Sequence, residues 1–222
     1  MNNNWVIVTG ADRGIGESLA ARLADMDYGV IMACWNVEKA AHVFEHIRYI
    51  TSNRAVRLMP LDLSSLSSIA SFVRTVDEKA YNVRALVNNA GVLRKRCEKT
   101  VDGFEETVGV NYLGTYLLTR LMMPILLRSE GVSRVMNTVS AMVKFGRVDT
   151  DFFEVCPKEY RRMRAYASSK LALLMFTQSL TETLGKQAAL PFSDQHLPVY
   201  DTMPYCVFPF LLTAHNHTYL II

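Results

Sequence analysis

The chain has 222 residues, half of them apolar, and a formal net charge of +3 at pH 7. This length and apolar content predict one globular domain with a large hydrophobic core. The charge is modest and the basic residues are dispersed, which argues against nucleic acid as a partner.

The cysteine and histidine patterns bear on the cellular compartment and on metal binding. The chain has four widely spaced cysteines: Cys34, Cys97, Cys156 and Cys206. Without a CxxC motif, they predict reduced thiols rather than a disulfide framework or a zinc site. The histidines form no HExxH pattern, and no metal is expected. We also expect no secretory leader and no apolar run that spans a bilayer, which together favour a cytoplasmic protein.

The first elements predict the beginning of a βαβ unit. The apolar run at 5–9 ends in glycine and predicts a buried strand. Residues 10–16 follow with the spacing G-x3-G-x-G and lead into a helical pattern. Glycines let the backbone approach a ligand closely, and a helix start presents free N–H groups to a phosphate. A glycine-rich turn without a ligand is the alternative for this motif alone.

The alternation of strands and helices continues along the chain. Strands are predicted at 28–34, 54–61, 83–87 and 133–139, and helices at 37–50, about 65–79 (capped by Ser64 or Ser65) and 102–127. This order predicts an α/β fold with a doubly wound, Rossmann-like parallel sheet. Ligands bind beyond the carboxyl ends of strands in such sheets, and the polar motifs follow those ends.

Tyr166 and Lys170 are four residues apart in a helical pattern, so their side chains lie on one face. An ammonium near a phenol favours the phenolate and lowers the tyrosine pKa. Such a tyrosine can exchange a proton with a substrate oxygen near neutral pH. An ordinary amphipathic helix is the alternative for this pair alone.

Together these motifs closely resemble the short-chain dehydrogenase/reductase family over about residues 5–184. The matching segments are 9–16, 88–91, Asn111, Ser140 and 166–170. Within the family, the chain looks most like the retinol-dehydrogenase-like branch. The pointers to the branch are 99–105, 110–114 and the long segment between Ser140 and Tyr166.

The resemblance implies four catalytic residues. Tyr166 would be the general acid/base, and Lys170 would lower its pKa and hold the nicotinamide ribose. Ser140 would hydrogen-bond the substrate oxygen. Asn111 would hold the long helix open around a water that links Lys170 to solvent.

The resemblance also implies a set of cofactor-binding residues beside Tyr166 and Lys170. They are Gly10, Arg13, Gly14, Ile15, Gly16, Asp62, Leu63, Asn88, Asn89, Ala90 and Gly91. Those in residues 10–16, the glycine loop, would cradle the pyrophosphate and the adenosine ribose. Asp62 and Leu63, after strand three, would flank the adenine. Residues 88–91 would line the cofactor cleft.

The end of strand two predicts NADP(H) as the cofactor rather than NAD(H). An NAD-selective site places an acid there for the ribose 2′-hydroxyl. Residues 33–36 contain no acid, whereas Arg13 could face a 2′-phosphate. Trp35 stands where relatives in this branch commonly carry an arginine.

The C-terminal part departs from the family pattern, which predicts a cofactor domain at 1–185 and a divergent tail at 186–222. The tail lacks the Pro-Gly turn of the family, and four prolines interrupt it. We expect the tail to be less ordered and not to complete the sheet in the family manner. Strand five then risks becoming an exposed edge.

Two interpretations follow from the sequence. The first is an NADP-dependent oxidoreductase acting on an alcohol or carbonyl, a retinoid or another lipophilic small molecule. The second is a truncated, catalytically poor relative that binds cofactor or a protein partner. Both leave homo-oligomerisation open.

Overall fold

Strands and helices alternate in the computed structural model, which describes residues 4–153, 156, 159–187 and 220–221. The strands are β1 (Asn4–Thr9), β2 (Gly29–Cys34), β3 (Val56–Pro60), β4 (Asn82–Asn88), β5 (Arg134–Val139) and β6 (Leu220–Ile221). The α-helices are α1 (Gly14–Asp25), α2 (Val37–Thr51), α3 (Leu66–Glu78), α4 (Glu106–Val108), α5 (Thr115–Arg128) and α6 (Arg162–Gln187). A π-helix spans Gly109–Gly114, and 3₁₀ segments span Ala141–Phe145 and Thr150–Phe153.

The sheet is parallel throughout, with the strand order β3-β2-β1-β4-β5-β6. The central strand β1 is covered on both faces. Ile7 belongs to a core cluster with residues of α3 and α5, whereas Val6 and Val8 belong to a second cluster with residues of α1 and α2. This burial on both sides explains why β1 is continuously apolar. The predicted doubly wound α/β fold is confirmed.

Side-chain caps fix the starts of two helices. Asn36 Oδ1 accepts a hydrogen bond from Lys39 N at 2.8 Å at the start of α2. Ser65 Oγ accepts one from Ser68 N at 3.3 Å at the start of α3. Such caps pair backbone donors that have no partner inside the helix. Of the two serines considered from the sequence, Ser65 is therefore the cap.

The segment predicted as one helix over 102–127 is interrupted, and that prediction is wrong. Gly103 adopts a left-handed φ of +88°, which does not continue a right-handed helix. The Asp102 carboxylate instead accepts a hydrogen bond from Leu66 N at the start of α3. Glu105 caps α4, and the π-helix separates α4 from α5.

The apolar segment at 113–127 falls within the π-helix and α5, and α5 contains Pro124. Across the described ranges, no helix has both the length and the apolar character needed to cross a membrane. The same ranges hold no group of three or more His, Cys, Asp or Glu side chains placed to bind a metal ion.

The predicted tail lies mostly outside the described residues. Helix α6 continues to Gln187, two residues past the predicted domain boundary. Residues 188–219 are not described, so the expectation about their order remains a prediction. The short strand β6 pairs with Thr138 and Val139, so this end of β5 has a hydrogen-bonded neighbour rather than an open edge.

Cys97 and Cys156 form a disulfide, with Cα atoms 5.5 Å apart. The expectation of reduced thiols is therefore wrong for this pair. The two cysteines are 59 residues apart in the sequence, and no short motif connects them. They meet because the loop after β4 and the segment before α6 lie against each other. Cys34 is buried and free, and burial together with the nearby Asp12 raises the pKa of its thiol to about 12.

Candidate active site

The carboxyl ends of the parallel strands gather the predicted motifs at one edge of the sheet. The glycine loop follows β1, the segment 88–91 begins at the end of β4, and Ser140 follows β5 directly. Helix α6 runs past this edge and carries Tyr166 and Lys170. The fold therefore brings together the motifs that are far apart in the sequence.

The glycine loop is closely packed on its inner side and open on its outer side. Gly10 adopts a φ of +63°, and a Cβ there would lie 3.0 Å from Ala90 Cα. A Cβ on Gly16 would lie 2.2 Å from Gly10 O, so a side chain cannot fit there. A Cβ on Gly14, at the first residue of α1, would meet no heavy atom within 4 Å. The free N–H groups at this helix start fit a phosphate group.

Thr9 fixes the loop after β4 against the glycine loop, a role that the sequence analysis missed. Its Oγ1 accepts hydrogen bonds from Asn89 N and Ala90 N, both at 3.0 Å. Asn89 Nδ2 donates in turn to Thr9 O at 3.0 Å and Gly10 O at 3.3 Å. The two predicted cofactor-binding loops thus form one unit. A hydroxyl directly before the first glycine is the signal in the sequence.

Asn88 lies in a different environment from Asn89. Its Nδ2 donates to Thr119 Oγ1 at 2.9 Å and to Asn137 Oδ1 at 2.8 Å. Asn137 Nδ2 then donates to Thr177 Oγ1 at 2.9 Å. This buried network connects α5, β4, β5 and α6. The Asn88 side chain therefore lies inside the protein, although it was predicted to line the cofactor cleft.

Lys170 and Tyr166 face each other as the helical spacing predicts, with Lys170 Nζ 5.9 Å from the centroid of the tyrosine ring. Lys170 is only 3% exposed, and its Nζ donates a hydrogen bond to Thr138 O at 2.7 Å. Burial lowers the pKa of Lys170 to about 8. The ammonium therefore remains mostly charged at neutral pH, close to the phenol ring of Tyr166.

Ser140 directly follows β5 and caps the next 3₁₀ segment, where its Oγ accepts a hydrogen bond from Met142 N at 3.3 Å. The 3₁₀ segment then packs on α6 next to Tyr166. A Cβ on Gly146 would lie 2.5 Å from Ala167 O, so only glycine permits this approach. The sequence analysis did not single out Gly146.

Asn111 is fully buried in the π-helix and clamps the loop after β4. Its Oδ1 accepts from Val92 N at 2.7 Å, and its Nδ2 donates to Val92 O at 2.9 Å. A Cβ built on Gly91 would lie 3.4 Å from both Asn111 Oδ1 and Lys170 Nζ. Asn111 and Lys170 therefore converge on the same glycine. Their predicted connection through a water remains a prediction.

Glu105 and Tyr160 hold the segment before α6 against α4. The Tyr160 hydroxyl donates to Glu105 Oε1 at 2.9 Å, and this carboxylate also caps α4. Burial is the main cause that raises the pKa of Tyr160 to about 12. Neither residue was predicted to act at the site, because their contact is visible only in the fold.

The residues predicted near the adenosine lie after β2 and β3 and in the glycine loop. Asp62 Oδ1 accepts from Ser64 N at 2.8 Å, and Leu63 is buried. Ile15 is exposed. The Arg13 side chain is 87% exposed, with its Nε 3.8 Å from Asp12 Oδ2. Trp35 is 70% exposed directly after β2.

Comparison with known families gives one match over most of the chain. The model of the family described as short chain dehydrogenase matches residues 4–189. Among curated proteins, the chain is 42% identical to retinol dehydrogenase 13 of Mus musculus, over 81% of this chain and 53% of that protein. It is 39% identical to polyprenol dehydrogenase of Homo sapiens, over 82% and 56% of the two chains. The chain thus spans about half the length of the curated relatives it matches.

Solved structures share the architecture. An uncharacterised protein from Mycobacterium Paratuberculosis has a TM-score of 0.72 and 32% identity, over 84% of this chain and 64% of that chain. A short chain dehydrogenase from Shigella flexneri 2a str. 301, complexed with NADP, has a TM-score of 0.67 and 25% identity. That match covers 84% of this chain and 74% of the other.

Proposed function

The chain belongs to the short chain dehydrogenase family and to its retinol-dehydrogenase-like branch, and we propose that it transfers a hydride between NADP(H) and a lipophilic alcohol or carbonyl compound. A retinoid is the first candidate substrate, since several relatives are retinol dehydrogenases. The chain spans only about half of those proteins, so their activity is a proposal here.

The observation that carries the proposal is the buried ammonium of Lys170 beside the Tyr166 ring. A charge that is removed from solvent acts more strongly on its neighbours than an exposed one. In this proposal the charge of Lys170, 5.9 Å from the centroid of the Tyr166 ring, assists proton exchange at the Tyr166 hydroxyl. A partly exposed tyrosine next to a buried lysine has little value for stability alone, since burying an ammonium is costly.

The glycine loop supports a dinucleotide cofactor. The glycines at positions 10 and 16 allow close packing beneath the loop, while the space outside Gly14 is open. The start of α1 would hold the pyrophosphate through backbone N–H groups, and Lys170 would hold the nicotinamide ribose. When bound, the cofactor would supply or accept the hydride.

The choice of NADP(H) rests on charge at the end of β2. Residues 33–36, at the end of this strand, contain no acid to bind a ribose 2′-hydroxyl. The exposed guanidinium of Arg13 would instead pair with a 2′-phosphate. In addition, two similar solved structures are complexes with NADP and NADPH.

Four residues of the chain would carry out the proton transfer and orient the substrate. The Tyr166 phenol would give a proton to the carbonyl oxygen in reduction, or take one from the alcohol in oxidation. The Ser140 hydroxyl would hydrogen-bond the same oxygen and orient the substrate. Lys170 would stabilise the phenolate that remains, and Asn111 would keep the loop after β4 in place.

Apolar side chains on the segments around the site support a lipophilic substrate. Leu93 lies two residues after Gly91, the glycine that Asn111 and Lys170 approach, and it is exposed. Phe145 and Val148, on the segment after Ser140, are exposed as well. An apolar ligand that covers exposed apolar surface of this kind removes it from water, which favours binding.

The direct test is reduction of all-trans-retinal by the purified chain with NADPH or NADH, with Tyr166→Phe as the control. We expect turnover with NADPH that Tyr166→Phe abolishes. Binding of NADPH without turnover of retinal or simpler aldehydes would overturn the proposed activity. That result would favour the second interpretation, a relative that binds cofactor without useful catalysis.

A further inference from the structure

One buried hydroxyl, that of Ser169, connects two of the candidate catalytic residues. Its Oγ donates to Tyr166 O at 2.7 Å and accepts from Asn111 Nδ2 at 3.1 Å. Ser169 is fully buried, and its bond with Asn111 is buried as well, so solvent does not compete for that bond. Because the hydroxyl donates one bond and accepts the other, its orientation is fixed.

The Asn111 side chain extends this connection to the loop after β4. Asn111 Nδ2 carries two protons, of which one goes to Val92 O and the other to Ser169 Oγ. Its Oδ1 accepts from Val92 N. We call Val92, Asn111 and Ser169 the joint. It connects the loop after β4, the π-helix and α6 in the interior of the protein.

We propose that Ser169 is a positioning residue that holds Tyr166 where its phenol meets the substrate, an inference that rests on the proposed function. Ser169 reaches back one turn to Tyr166, whereas Lys170 is held separately by Thr138. Without the hydroxyl, one buried proton of Asn111 loses its acceptor, and the carboxamide must turn to find another. The turn that carries Tyr166 is then released, and a displacement of about 1 Å costs on the order of 10²-fold in rate.

The chain offers a matched control in Thr177, about two turns further along α6. Its Oγ1 accepts from Asn137 Nδ2 at 2.9 Å and donates to Leu173 O at 2.6 Å. This is the same pair of bonds that Ser169 makes, and Thr177 is also buried. Its partners lie outside the joint. Thr177→Val therefore removes an equivalent buried hydroxyl and leaves the joint intact.

The test compares Ser169→Ala with Thr177→Val by residue-resolved hydrogen exchange. Val92 N is bonded to the Asn111 side chain, so its exchange rate reports whether the joint is closed. In Ser169→Ala we expect exchange at Val92 to accelerate about tenfold or more, and in Thr177→Val to stay within about twofold of wild type. Thermal unfolding of both variants shows whether their losses of stability are comparable.

Kinetics provide the second measurement, with NADPH and all-trans-retinal as probes. We expect kcat to fall about tenfold or more in Ser169→Ala only, with the Kd for NADPH changed less than about threefold. Equal exchange at Val92 in the two variants would overturn the proposal, and so would an unchanged kcat in Ser169→Ala. If the wild-type chain does not reduce retinal, the proposed function fails, and the exchange comparison alone decides whether Ser169 holds the joint.

Discussion

Lys170 Nζ is hydrogen-bonded to Thr138 O at 2.7 Å, which ties helix α6 to strand β5 two residues before Ser140. The bond sets the position of the ammonium relative to both the Tyr166 ring and the end of β5. It also compensates part of the cost of burying a charge, because the carbonyl replaces water as a partner.

Tyr166→Phe should reduce turnover by roughly 10²–10⁴-fold, the range for loss of a general acid/base. The phenylalanine keeps the ring but has no proton to exchange. The Kd for NADPH, measured by fluorescence titration, should stay close to that of the wild type. A variant with near-normal kcat would show that another group transfers the proton.

The stability of the protein should depend on pH through Lys170. Burial disfavours the charge and lowers the pKa of Lys170 from its ordinary value of 10.5 to about 8 in the fold. Between these two values the unfolded chain holds the proton more firmly, so this residue makes stability rise with pH. Below about pH 8, the buried charge of Lys170 lowers the free energy of unfolding by on the order of 3 kcal/mol. This loss is removed as the pH rises towards 10.5.

Lys170→Met isolates that contribution. Relative to the variant, the wild type should gain stability in urea titrations between about pH 8 and pH 10. Cys34 and Tyr160, whose pKa values are raised, act in the opposite direction but are present in both proteins. A difference in stability that does not change over this window would contradict the burial of a charged Lys170.

Trp35→Arg should tighten NADPH binding by about tenfold and leave NADH binding nearly unchanged. Trp35 is exposed directly after β2, so a guanidinium there would join Arg13 in facing a 2′-phosphate. Tyr49→Arg is the control, since Tyr49 is 84% exposed near the other end of α2. Equal or tighter binding of NADH by the wild type would remove the case for NADP(H).

Cys97→Ser should lower stability by about 2–4 kcal/mol under oxidising conditions, because the disulfide restricts the unfolded chain. A reducing agent should bring the wild type close to the variant. Alkylation of the denatured, unreduced protein followed by mass spectrometry tests the pairing directly. Modification of both Cys97 and Cys156 in that experiment would show that the bond is absent.

The sequence predicts the sheet well because strand periodicity and glycine turns are local signals. The strand expected at 83–87 is found at Asn82–Asn88, and the turn after β1 lies where its glycines indicate. The different environments of the Asn88 and Asn89 side chains are harder to predict, because the two residues are adjacent in the sequence. Asn88 is the last residue of β4 and Asn89 follows it, and successive residues of an extended chain point in opposite directions, so Asn88 enters the buried network and Asn89 contacts the glycine loop.

Long-range contacts explain most of what the sequence analysis missed. The Cys97–Cys156 disulfide and the Glu105–Tyr160 hydrogen bond join segments more than 50 residues apart. Neither pair has a spacing that signals contact. They become neighbours only because two loops leave the sheet at the same edge, which depends on the order of the strands.

The π-helix at Gly109–Gly114 also sets how far α5 is rotated about its own axis relative to Asn111. Each α-helical residue turns the chain by about 100°, so one residue more or fewer in this segment rotates α5 by that angle relative to Asn111. In the observed phase, Asn111 faces the site while Leu118 and Met122 face the sheet core. A single-residue deletion here would leave every side chain chemically intact and still force a choice between the core and the active site.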